Sequence, residues 1–264
     1  MIQDMTVARD KYLNTLKRPY YIAMTTSGSD FDEDSEYTYT ETGSYFGGCR
    51  PFLLRNEDWP ECGQCDELMS FFFQIDLAKV SDEQEFKEAT GGVGLLQLFV
   101  CTGDNCCETF EALNDASLIR ILSPEQCNVS PNPNKLRKFE LSEESEIFPE
   151  REIRYWAKGG EDLPSMEELG ELLEEAKLPM IEYDENEADP ELAMSGIKLL
   201  GWPNWVQFPE RYKCRKSDCT RTMTFLMQLE NSDDMPHIWG DLGTAYVQQC
   251  PEHKDSLTFI WQCG

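Results

Sequence analysis

The residues that could do chemistry are cysteines, and their spacing sorts most of them into two sets. In the first, Cys62 and Cys65 stand in C-x-x-C, an apolar run ends in Cys101, and Cys106 and Cys107 follow closely. In the second, Cys214 and Cys219 stand in C-x4-C, another apolar run ends in Cys250, and His253 follows in C-P-E-H. Each set offers four soft donors as two pairs, each pair on a turn, which is what tetrahedral zinc asks for. The expected ligands are Cys62, Cys65, Cys101 and Cys106, with Cys107 the rival for the fourth place, and Cys214, Cys219, Cys250 and His253. Four protein donors close a site, so such an ion would hold the fold rather than catalyse. The other readings are a redox pair at Cys62 and Cys65, for which no surrounding βαβ pattern speaks, and inert core thiols at Cys101 and Cys250. Cys49, Cys127 and Cys263 have no partner at metal spacing.

A catalytic constellation is harder to find. His237 and His253 are the only histidines. His237, in D-D-M-P-H-I-W-G-D, has Asp233, Asp234 and Asp241 nearby, and a loop histidine beside acids is expected to be a solvated surface residue. Nucleophile-elbow, P-loop and dinucleotide-binding patterns are absent, and Gly91, Gly92 and Gly94 precede a strand, so they read as a turn. The W-G-D-L-G block from Trp239 to Gly243 reads as a tight turn, and core packing is the favoured role for Trp202, Trp205 and Trp239.

These donors need elements to carry them. A helix is expected from Ile2 to Leu16, a strand from Tyr20 to Thr25, and apolar strands at Ser70–Leu77, Gly94–Cys101 and Leu118–Leu122. The stretch from Cys127 to Glu152 reads as a connecting loop with at most one short strand. The clearest helix runs from Ser165 to Lys177, with a capping box of Ser165 and Glu168. Strands follow at Met223–Leu229, Thr244–Gln249 and Leu257–Gln262. Two blocks share identities at fixed offsets: counted from Cys65 and Cys219, both have Met four residues on, Phe six on and Gln nine on. Glycine precedes Cys101 and Cys250 by seven residues in each copy. The expected fold is therefore α+β and β-rich, an internal duplication of two mostly antiparallel β halves about a pseudo-twofold axis. The halves would span about 18–126 and 196–264, joined by 127–195 with its helix at 165–177, in one domain.

The chain has 264 residues, 40% of them hydrophobic, so it can bury a core. Its net charge of −27, from 50 acidic and 23 basic residues, argues against direct nucleic-acid and membrane binding and favours a basic protein partner. Candidate contacts are Asp30, Asp32, Glu33, Asp34 and Glu36, and Glu182, Asp184, Glu185 and Glu187. The first residues lack the apolar stretch of a secretory signal, and eleven cysteines without one point to a reducing, cytoplasmic setting.

The blocks G-G-x-x-P, W-P-x-C-x-x-C, M-x-F-x-x-Q-I-D-L and L-L-Q-L-F-V-C resemble the YwqG-like family. So do G-W-P-x-W-x-Q, M-T-F-L-x-Q-L, W-G-D-L-G-x-x-Y-V and C-P-E-H, and the likeness spans roughly Tyr45 to Gln262. The family's biochemical function is unknown, and the resemblance implies a duplicated β-rich fold. The second block is also similar to the C-terminal domain of programmed-cell-death-2 relatives, which chaperone a ribosomal protein. Some YwqG-like genes lie among toxin–immunity loci, which suggests an inhibitor role. The expected function is a non-catalytic, zinc-stabilised module that binds a basic protein, toxin or ribosomal-protein-like. The rivals are a hydrolase-like enzyme with a site near Trp239, Asp241 and His237, and a cysteine-based metal or redox sensor.

Overall fold

The computed structural model describes residues 2–25, 43–103, 109–128, 147–180, 192–233, 235 and 237–264. Helix α1 (Ile2–Leu16) leads into strand β1 (Arg18–Thr25), followed by β2 (Tyr45–Phe46) and β3 (Ser70–Asp76). After α2 (Gln84–Thr90) come β4 (Leu95–Val100), β5 (Ser117–Leu122) and the single turn α3 (Pro124–Cys127). Then follow β6 (Arg151–Asp162), α4 (Met166–Glu175), β7 (Lys198–Leu200), β8 (Thr224–Glu230), β9 (Thr244–Gln249) and β10 (Leu257–Gln262). The strands form one antiparallel sheet in the order β10-β9-β8-β7-β1-β6-β2-β3-β4-β5. It curls until β10 packs against β5, which nearly closes it into a barrel.

Alternation along the strands separates two apolar layers. Leu96, Leu98 and Val100 of β4, Phe72 and Ile75 of β3, and Val247 and Phe259 of β9 and β10 share the main core. The opposite face carries the second layer, which includes Phe71 and Phe99, and loops lie across it. Gln74, Gln97 and Gln228 are fully buried there. The Gln74 side chain accepts a hydrogen bond from the Phe52 amide at 2.9 Å, and Gln228 accepts one from the Asn204 amide at 2.8 Å. Amide side chains suit this task because each both donates and accepts, which lets one residue satisfy a crossing backbone segment. Each of these two glutamines follows a register shift, between Phe71 and Phe73 in β3 and between Phe225 and Met227 in β8.

Several elements differ from expectation. The segment after Cys127 contains β6, a twelve-residue strand in the middle of the sheet. Its burial is sparse, with Ile153, Trp156 and Asp162 buried among exposed residues, so no two-residue alternation announces it. Strand β7 escapes notice because Lys198 interrupts its apolar run. That lysine is nevertheless buried, and its Nζ lies 2.7 Å from Asp162 Oδ2. Helix α4 begins as expected, with Ser165 Oγ accepting from the Glu168 amide at 3.4 Å. Only half of the capping box forms, because the buried Glu168 carboxylate turns to Arg211 and to Trp205 Nε1.

Candidate metal centres

Two hairpins present the close cysteine pairs. A bridge between Glu61 and Leu68 closes the first just before Cys62, and one between Lys213 and Thr222 closes the second just before Cys214. The Cys62 amide donates to Glu67 O at 2.8 Å and the Cys214 amide to Arg221 O at 2.9 Å. At the base, the Met69 amide donates to Pro60 O and the Met223 amide to Tyr212 O, at 2.9 and 2.7 Å. The third cysteine of each set leaves the end of a strand one place in from the sheet's edge: Cys101 follows β4 and Cys250 follows β9. Their amides donate across to Ala116 O and Ser256 O, both at 2.9 Å.

The second cluster is complete. One donor atom each from Cys214, Cys219, Cys250 and His253 lies within 4.8 Å of every other. Cys219 and Cys250 sulfurs are 3.8 Å apart, and His253 Nδ1 is 3.7 Å from both Cys214 Sγ and Cys250 Sγ. A metal about 2.3 Å from each thiolate, tetrahedrally bound, sets sulfurs about 3.8 Å apart, so these edges are those of a tetrahedral donor cage. They are far too long for a disulfide, whose sulfurs sit about 2.05 Å apart. Ser256 accepts from the Cys214 thiol at 3.3 Å, and the His253 amide donates to Cys250 Sγ at 3.3 Å. Burial raises the Cys214 thiol, but its hydrogen bonds with Ser256, the Lys216 backbone, Cys250 and His253 outweigh this and bring it down to about 6. A thiol already poised as thiolate is what a metal ligand requires.

In the first cluster Cys62, Cys65 and Cys101 come together, with Cys65 and Cys101 sulfurs 3.6 Å apart. Cys106 and Cys107 lie outside the described residues, and so do the acidic stretches with Asp30, Asp32, Glu33, Asp34, Glu36, Glu182, Asp184, Glu185 and Glu187. The three described cysteines of the first set and all four residues of the second were legible from spacing. Ser256 was not, although it stands only three residues beyond His253 and reaches Cys214 from there.

His237 is not the solvated loop residue expected of it. Its ring is half-buried against Phe148, Trp239 and Phe72, with centroids 5.1, 4.9 and 6.1 Å away. It makes no hydrogen bond among the described residues, and burial lowers its pKa, which favours the neutral ring. Trp239 is enclosed in the core against Phe72 and Phe259, while Trp202 lies beneath the Arg18 guanidinium and Trp205 packs on Tyr246. The three tryptophans therefore serve different parts of the fold.

No curated protein matches the sequence. Residues 44–263, which contain both cysteine clusters and nine of the ten strands, match a domain of unknown function, DUF1963, and the chain belongs to that family.

Proposed function

We propose that this chain is a non-catalytic, acidic binding module, stapled by structural zinc, whose partner is a basic protein held in a chaperone-like or toxin-neutralising role. The observation that carries this reading is the donor cage of Cys214, Cys219, Cys250 and His253. Four ligands at tetrahedral edges leave no coordination position for substrate or water, and three thiolates with one imidazole suit zinc. Cys62, Cys65 and Cys101 would hold a second ion, with Cys106, or its neighbour Cys107, as fourth ligand.

We also infer that the two clusters descend from one duplicated unit, consistent with a YwqG-like affiliation. Strands β2 to β5 and β7 to β10 run outward in opposite directions from the central pair β1 and β6. The matching register shifts, buried glutamines and hairpin bridges support the same reading. A pseudo-twofold axis would then pass between β1 and β6.

A net charge of −27 steers cationic partners toward the molecule and repels nucleic acid. Reduced thiols at both clusters fit a cytoplasmic setting. The test is affinity capture at about 50 mM and about 500 mM salt, where screening lengths differ several-fold. A basic protein retained at low salt and released at high salt is expected. Retention of no basic protein beyond that bound by an unrelated protein of equal charge would overturn the reading.

A further inference from the structure

We propose that a segment of the partner docks in the groove between residues 110–112 and β10, and that this segment alternates basic with apolar side chains. This rests on the basic-partner reading above and gives it a place. The groove, of about 540 Å³, is lined chiefly by Phe110, Glu111, Gln207, Glu210, Tyr212 and Trp261, and among the described residues no lysine or arginine lines it. Its floor is fixed. Trp261 Nε1 donates to Thr109 Oγ1 at 3.2 Å, and the Trp261 ring meets Phe110 edge-on at 6.1 Å. Glu210 is held by Gln262 Nε2 at 2.8 Å and by the Tyr212 hydroxyl, so its charge is set in one position. Glu111 is exposed and forms no ion pair among the described residues.

Carboxylates set beside aromatic faces recognise guanidinium and ammonium groups, by charge-assisted hydrogen bonds and by attraction to the ring. The cleft where Glu168, Glu171 and Glu175 stand beside Trp202 and Trp205 differs in already holding Arg18 and Arg211, and Arg18 lies 3.4 Å over the Trp202 ring. The cleft on α4 has Glu167, Glu171 and Glu174 but no aromatic ring.

The rim of the groove is apolar and open. Phe110 is 49% exposed and Phe208, whose carbonyl accepts from Gln262 Nε2 at 3.0 Å, is 58% exposed. Leu242 is 81% exposed at a φ of 48°, near the Cys263 end of the groove, where the Gly264 amide donates to Asp241 O. A leucine held both in solvent and in the left-handed region costs stability without burying anything, which is a reason to look for what covers it. Apolar anchors within an acidic frame set the chemistry of the occupant: hydrophobic side chains interleaved with arginine or lysine.

The test is fluorescence anisotropy with a labelled peptide of alternating arginine and leucine, against one of alternating glutamate and leucine. Phe110→Ser combined with Glu111→Lys changes only exposed side chains. Glu161→Lys makes the same charge change on β6, five strands from β10 in the sheet order. The basic peptide is expected to bind and the acidic one not. The groove variant should weaken binding about tenfold or more, roughly 1.4 kcal/mol, and the β6 variant less than about twofold. Equal losses in both variants would overturn the groove while leaving the basic-partner reading in place. So would a basic protein whose salt-sensitive capture survives the groove variant. Failure of the basic peptide to bind the wild-type chain at low salt would overturn the groove directly.

Discussion

Cys250 contacts two other donors of the second cluster. Its sulfur lies 3.8 Å from Cys219 and 3.7 Å from His253 Nδ1, and it accepts from the His253 amide. Cys263, also a cysteine near the C-terminus, belongs to neither cluster. Replacing Cys250 by Ser should remove one bound metal ion per chain in native mass spectrometry. It should also cost on the order of 4 kcal/mol in denaturant unfolding, because the ion's binding energy is folding energy. Cys263→Ser should change neither. Gly243 makes a different demand. A side chain there would place Cβ 1.5 Å from Trp239 O and 2.9 Å from Gln262 O, so the W-G-D-L-G turn closes only over a hydrogen. Gly243→Ala should lower stability by about 3 kcal/mol or more, read as a fall in the melting temperature. Had the turn been a solvated loop, the same change would be nearly neutral.

Strands β3, β4 and β8 are legible in the sequence because their middles are buried on both faces and mostly apolar, and β9 and β10 because aromatic and β-branched residues recur in short runs. The one polar residue in the middle of β3, β4 and β8, a glutamine each time, ties down a loop. Strand β6 is not legible, because its neighbours β1 and β2 supply the pairing while most of its side chains face solvent. The cysteine pairs could be read because hairpin geometry fixes their spacing. Cys101 and Cys250 joined them because each ends a strand next to a hairpin. What spacing could not reveal was the link between Asp162 and Lys198. Asp162 Oδ2 meets Lys198 Nζ, and the same carboxylate accepts from the Trp202 and Met194 amides at 2.9 and 3.3 Å. A strand end separated by 36 residues from its partner thereby anchors the loop that carries Trp202. Lys198→Met leaves a buried carboxylate without its cation and should cost about 3–5 kcal/mol. Adding Asp162→Asn to Lys198→Met should recover a large part of that loss, measured by urea unfolding of the single and double variants. Equal stability of the single variant and wild type would show that the pair does not anchor the loop.

The sheet nearly closes where β10 meets β5, and the Cys250–His253 loop leads into β10. Lys254 Nζ donates to Ala89 O at 2.5 Å and Gln249 Nε2 to Thr90 O at 3.2 Å, so the Cys250–His253 loop is bolted to the end of α2. The left-handed Gly91 ends α2 at that contact, with its amide donating to Lys87 O. An ion in the cage would therefore fix more than its own hairpin: it would set the loop that ties the late strands to α2. High net negative charge opposes compaction of any chain, and ions held by thiolates offset that tendency locally. Under this account the clusters stabilise a surface that binds, and they take no part in turnover. The most direct measurement is metal content and melting temperature of the reduced, purified chain before and after a strong chelator. The account predicts two zinc ions per chain and a melting transition that falls sharply once they are stripped. A chain that carries no transition metal and melts unchanged in chelator would contradict it.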